Sequence, residues 1–149
     1  MRTLDDWLTE YAESHRHPLN RIIHKVCVPL ILWTIVGFFS LVPAPVATLN
    51  TRLGVAPLLC AFTLWFYALL GVRPFFEMLA LFGMSLLLCV AASLLVSQPW
   101  VLYAAIFVLA WIGQAIGHAV EGKKPSFFRD LQFLLIGPLW ILRQHKDAS

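Results

Sequence analysis

Long apolar runs dominate this chain, and its polar positions are gathered between them. No Asp, Glu, Lys or Arg occurs within residues 26–51, 53–72 or 78–120. The last run is 43 residues long, room for two membrane-crossing helices at about 20 residues each. The pattern predicts four spans, at about residues 25–41, 55–70, 77–96 and 100–118. Pro43 and Pro45 close the first, Arg73-Pro74 separates the second from the third, and Ser97-Gln98-Pro99 turns the third into the fourth. A further apolar stretch, residues 131–142, contains Gly137-Pro138 and is too short to cross. It is expected at the interface or in a re-entrant position, as a lid or foot. Residues 1–24 are mixed in charge and too long for the basic start of a signal peptide, so they read as a cytoplasmic segment with short helices. The expected fold is therefore all-α: one integral membrane domain, residues 1–149, built as a four-helix bundle with a cytoplasmic or interfacial tail at 119–149.

Composition strengthens this picture. Sixty per cent of the residues are hydrophobic and 13% charged, well outside the range of soluble globular chains. With four spans, Arg2, Arg16, Arg21, Lys25, Arg73, Lys123, Lys124, Arg129, Arg143 and Lys146 share one side, and only Arg52 lies opposite. The positive-inside rule then puts both termini in the cytoplasm, in a bacterial inner membrane or an internal eukaryotic one. The basic excess reads as topology and headgroup contact; no motif points to nucleic acid. Trp100 and Tyr103 are expected in the opposite interfacial belt. Cys27, Cys60 and Cys89 lie singly in apolar spans, without metal or disulfide spacing, and read as small buried hydrophobes.

Two polar clusters carry the candidate chemistry. The first is "HRHPLNRIIHKVCVPL", residues 15–30. Pro18 suits a helix's first turn, Asn20 and His24 are i, i+4 neighbours, and Tyr11 and His15 pair likewise on a preceding helix. A break near His17-Pro18 lets the two short helices fold together, so that His15 and His24 converge. The second is "WIGQAIGHAVEGKKPSFF", residues 111–128, where Gln114, His118 and Glu121 form one polar stripe on an apolar helix. Polar groups at membrane depth are costly and normally face partners inside a bundle. Gly113 and Gly117 make a GxxxG step that permits close helix approach. Four antiparallel spans bring all five histidines to one membrane face. Neutral imidazoles with a carboxylate suit iron(II), zinc or manganese, and three ligands with open positions suit catalysis. His15, His24 and His118 are the expected ligands. Glu121 is a fourth ligand or a base, and Asn20 and Gln114 orient imidazoles. For His17 and His145 an interfacial structural role is favoured. A zinc or di-iron lipid enzyme, a non-enzymatic lipid-binding or scaffolding protein and a small transporter stay open on residue chemistry alone, though the absence of an evident repeat speaks against transport.

The series Tyr11-x3-His15-x4-Asn20-x3-His24, Cys27-Val28-Pro29, with Gln114-x2-Gly117-His118-x2-Glu121-Gly-Lys-Lys-Pro125, resembles the 2-hydroxy fatty acid dioxygenase family over nearly the whole chain. The resemblance implies an Fe(II)-dependent enzyme of fatty acid α-oxidation. Such an enzyme cleaves C1–C2 of a 2-hydroxy fatty acid with O2, leaving a product one carbon shorter. It carries the family's histidines onto His15, His24 and His118. The step from His118 to Glu121 is three residues, one shorter than the family's more usual form. The implied substrate is an amphiphile whose tail would stay among membrane lipid and whose head would meet the site at the cytoplasmic mouth, where Lys25, Lys123 or Arg129 is expected to attract the carboxylate.

Overall fold

The computed structural model describes residues 4–13, 15–44, 52–122 and 135–143. All regular structure among them is helical: α1 (Leu4–Glu13), α2 (Pro18–Ser40), α3 (Ala56–Leu70), α4 (Val72–Leu95), α5 (Pro99–Val120) and α6 (Gly137–Arg143). Three of these, α2, α4 and α5, are long and apolar enough to cross a membrane; α3 is apolar but has only 15 residues.

The helix limits follow from local chemistry. Asp5 and Asp6 lie in the first turn of α1, where the helix dipole favours negative charge. Pro18 opens α2, its fixed φ suiting a first turn and its missing N–H costing nothing there. Pro29 sits inside α2 and removes one backbone donor, a change that apolar spans tolerate better than exposed helices do. Gly71, at φ 128°, separates α3 from α4 in a backbone region closed to residues with a Cβ. Three boundaries differ from expectation. The first span begins at Pro18, seven residues early, because Asn20, His24 and Lys25 continue the helix beyond its apolar part. The third begins at Val72: Arg73-Pro74 forms the first turn of α4, and the break is Gly71 alone. The fourth runs Pro99–Val120, slightly beyond 100–118 at both ends.

The chain divides into two compact units. One comprises residues 30–108. Its interior is aromatic and apolar: Tyr67, Met78, Phe82, Cys89 and Tyr103 are buried, and the Tyr103 ring meets Trp33 and Phe38 edge-on at 5.6 and 6.1 Å. Tyr103 therefore belongs to the core and not to an interfacial belt, whereas Trp100 is exposed. Buried hydroxyls are satisfied within their own helices, Thr34 donating to Ile31 O at 2.9 Å and Ser85 to Leu81 O at 2.9 Å. The outward surface is the reverse of a soluble protein's. Phe62 is 79% exposed, Trp65 71% and Leu95 84%, a surface that lipid accommodates and water does not. All three cysteines are free and buried.

The other unit comprises residues 1–29 and 109–149. Here the start of α2 meets the end of α5, and α6 packs on α1. A Cβ on Gly113 would stand 2.7 Å from Cys27 Sγ, and one on Gly117 would overlap Asn20 Oδ1. The GxxxG step is thus a contact surface, and α2 passes against it closely enough to exclude even a methyl group. The short apolar segment near the C-terminus enters the same unit as α6, with Gly137, Pro138, Leu139 and Trp140 buried; residues 131–134 lie outside the described part of the chain.

Candidate metal centre

Backbone geometry aims the first two imidazoles. His15 follows α1 directly, its N–H donating to Ala12 O at 3.0 Å. Its ring Nδ1 stands 2.6 Å from Tyr11 O, and the ring lies flat on the Tyr11 ring, centroids 4.1 Å apart. In α2 the pattern repeats, with His24 Nδ1 3.0 Å from Asn20 O. A carbonyl can only accept, so in both rings Nδ1 carries the proton and Nε2 keeps its lone pair. Fixing the tautomer in this way is what orients a histidine toward a metal.

The third imidazole, His118, comes from the last turn of α5. Its ring centroid is 5.5 Å from that of His15 and 5.0 Å from that of His24, and His15 and His24 are 4.2 Å apart. All three residues are buried, and they offer one nitrogen each within 4.8 Å of one another. Three nitrogens bound tetrahedrally to one ion at about 2.1 Å stand roughly 3.4 Å apart, so metal binding would draw the three rings closer together. Three neutral nitrogen donors, two of them held by backbone carbonyls, fit a divalent transition metal and leave coordination positions over.

The sequence model of the family described as 2-hydroxy-palmitic acid dioxygenase Mpo1-like matches residues 1–147. The chain belongs to this family. No curated protein and no solved structure matches the chain. A dioxygenase family name agrees with a centre that leaves positions open for further ligands, and the histidines the family resemblance singled out are the ones the fold assembles.

The other expected site residues fall in different places. Tyr11 and Asn20 orient His15 and His24, but through their backbone carbonyls, with the Tyr11 ring adding its stacking. Glu121 is not in the imidazole cluster. Its Oε1 accepts the Arg16 backbone N–H at 2.9 Å, and its Oε2 accepts the His17 backbone N–H at 2.9 Å and the Asn20 side-chain amide at 3.0 Å. Burial tends to raise the Glu121 carboxyl, but donation from the His17 N–H, Asn20 and the Arg16 N–H, with the nearby His15, outweighs it and leaves the group below its ordinary range. Gln114 is buried one turn before His118 on α5. Lys25 is half-buried beside His24 in sequence. His17 serves the helix start, its Nδ1 accepting the Leu19 N–H at 3.2 Å. Lys123, Lys124, Arg129 and His145 lie outside the described residues.

Sequence reasoning missed Trp140. From α6 its ring stands 4.9 Å from Tyr11 and 5.1 Å from His15, against the stacked pair, and the Arg21 guanidinium lies over the Trp140 ring at 5.9 Å. The available signal was the apolar run after Gly137-Pro138, which marks a buried short helix but not its neighbour.

Proposed function

We propose that this protein is a ferrous dioxygenase of fatty acid α-oxidation, cleaving C1–C2 of a 2-hydroxy fatty acid with O2 to leave a product one carbon shorter. The observation that carries this reading is the convergence of His15, His24 and His118, two of them locked in the ligating tautomer, in a chain of a dioxygenase family. Bound iron would supply Lewis acidity and the one-electron chemistry that ground-state O2 requires. The protein's part is to hold its imidazoles deprotonated at Nε2, to cover the His15 side with Trp140 and Tyr11, and to position an amphiphilic substrate. Lys25, next to His24 in sequence, would attract the carboxylate head. The exposed apolar faces of the helices receive the tail.

The same reading includes a topology. The start of α2 adjoins the end of α5, so these two helices run antiparallel. The chain leaving the far end of α2 must return to that end to begin α5. If α4 crosses, α3 must therefore cross as well. Its 15 residues give about 22 Å of helix, shorter than the roughly 30 Å hydrocarbon core, so local thinning of the bilayer accompanies it. Four crossings then leave both termini on the basic, cytoplasmic side.

The three-nitrogen donor set suits zinc as well as iron, which keeps a zinc hydrolase of lipids as the second reading. One experiment separates them: load the protein anaerobically with Fe(II) or Zn(II), add 2-hydroxypalmitate, admit air, and weigh the product. A product one carbon shorter, formed only with iron and O2, supports the dioxygenase. Intact substrate with iron and O2 present overturns it.

A further inference from the structure

We infer that Glu121 is a positioning residue: its carboxylate ties the end of α5 to the start of α2 and so sets the spacing of the three imidazoles, without binding the ion or moving a proton. This inference rests on the metal centre proposed above.

Each histidine is linked to this one side chain. Arg16, whose backbone N–H donates to Oε1, directly follows His15. Asn20, whose amide donates to Oε2, also supplies the carbonyl that holds His24 Nδ1. His118 is one turn before Glu121, which directly follows α5 and is held to its last turn by its N–H donating to Gly117 O at 3.1 Å. Three donors therefore converge on two oxygens, and all three belong to the segment carrying His15 and His24. The backbone donors are those just before α2, where its first N–H groups point outward and a carboxylate is favoured.

The arrangement also tells against the other roles. A carboxylate acting as ligand or base needs an oxygen directed at the ion or substrate, whereas three of the roughly four acceptor sites here are taken by the Arg16 N–H, the His17 N–H and the Asn20 amide. Among the described residues, the groups whose ligand atoms converge are imidazoles only. Removing the strut leaves the packing of α2 on α5 at Gly113 and Gly117 without the polar tie that links the His15–His24 segment to the end of α5. Groups that orient metal ligands typically change metal affinity about 10–100-fold when mutated.

The test is a Co(II) titration of the wild-type protein and of Glu121→Ala and Glu121→Gln, with the thermal midpoint of each metal-free protein. Glutamine fills the same space and can keep the His17 and Asn20 bonds with its oxygen. Its amide then faces the Arg16 N–H, donor against donor, so an intermediate affinity is expected. Positioning predicts Co(II) binding about 10–100-fold weaker in Glu121→Ala, less weakened in Glu121→Gln, and a d–d spectrum at saturation identical to wild type in both. Shifted bands at saturation would make Glu121 a ligand and overturn the inference. Unchanged Co(II) affinity in both variants, with only turnover lost, would make it an acid–base group and overturn it too. A wild-type protein that binds no Co(II) or Fe(II) overturns the metal centre itself, and the inference with it.

Discussion

Alanine at Gly117 gives the sharpest reading of how tightly the centre is built. On helix propensity alone the change should stabilise α5 by about 1 kcal/mol. The structure predicts the opposite. The new Cβ would overlap Asn20 Oδ1 and touch His24 Cε1 at 3.5 Å. Asn20 cannot swing aside, because it is fully buried and its amide is bonded to Glu121 at 3.0 Å. The helices must separate instead, by about an ångström to restore an ordinary carbon–oxygen contact. Overpacking of this kind costs about 1–3 kcal/mol. His118 is the next residue, so the displacement passes directly into the spacing between His118 and His24. Ligand sets tolerate only about 0.5 Å of misplacement, and the expected result is a loss of at least about tenfold in metal affinity. Gly83→Ala is the control, since its Cβ meets nothing within 4 Å in the middle of α4. Isothermal titration with Co(II) and thermal unfolding of both variants make the comparison. Gly83→Ala should keep wild-type affinity with a midpoint at or above wild type, and Gly117→Ala should fall below wild type in both. Wild-type metal affinity in Gly117→Ala would refute the close contact between α2 and α5 on which the argument depends.

Other consequences are checked as simply. Trp140→Ala removes the ring packed against Tyr11 and His15, and burial of this kind is worth about 3–5 kcal/mol; limited proteolysis should then cut near α6 while wild type resists. Gly71→Ala forces a Cβ into φ 128° and should cost about 1–3 kcal/mol, seen as a lower thermal midpoint with metal affinity unchanged. The Glu121 carboxyl, held below its ordinary range, contributes stability that is complete above that range and is lost as pH falls through the lowered value. Thermal unfolding of the metal-free protein against pH should therefore show the stability difference between wild type and Glu121→Ala shrinking only as pH falls through that lowered value.

Much of this architecture could be read from residue order. Charge-free runs revealed the apolar helices, and the i, i+4 pairs Tyr11–His15 and Asn20–His24 revealed which residues share a turn. What the pairs hid was the bond type: both work through the carbonyl four residues back, which any side chain would supply, so Asn20's identity is used elsewhere, on Glu121. The donors that Glu121 meets were hidden for a related reason. A carboxylate on a stripe with His118 reads as a ligand or a base, and spacing along the helix does not show the N–H groups it faces, 104 and 105 residues away. Arg73-Pro74 resembles a helix stop, yet a proline in the first turn starts a helix as readily as it ends one. Tyr103 fits an interfacial belt by composition, and only packing against Trp33 and Phe38 puts it in the core. Trp140 was invisible because tertiary contact alone brings α6 beside His15.

The claim underlying all of this is that three imidazoles share one ion. Elemental analysis of anaerobically iron-loaded protein, wild type beside His15→Ala, His24→Ala and His118→Ala, addresses it directly. The account predicts about one iron per chain in wild type and substantially less in each variant, with all four proteins folded. Equal iron in wild type and the three variants, or none in any of them, would contradict it.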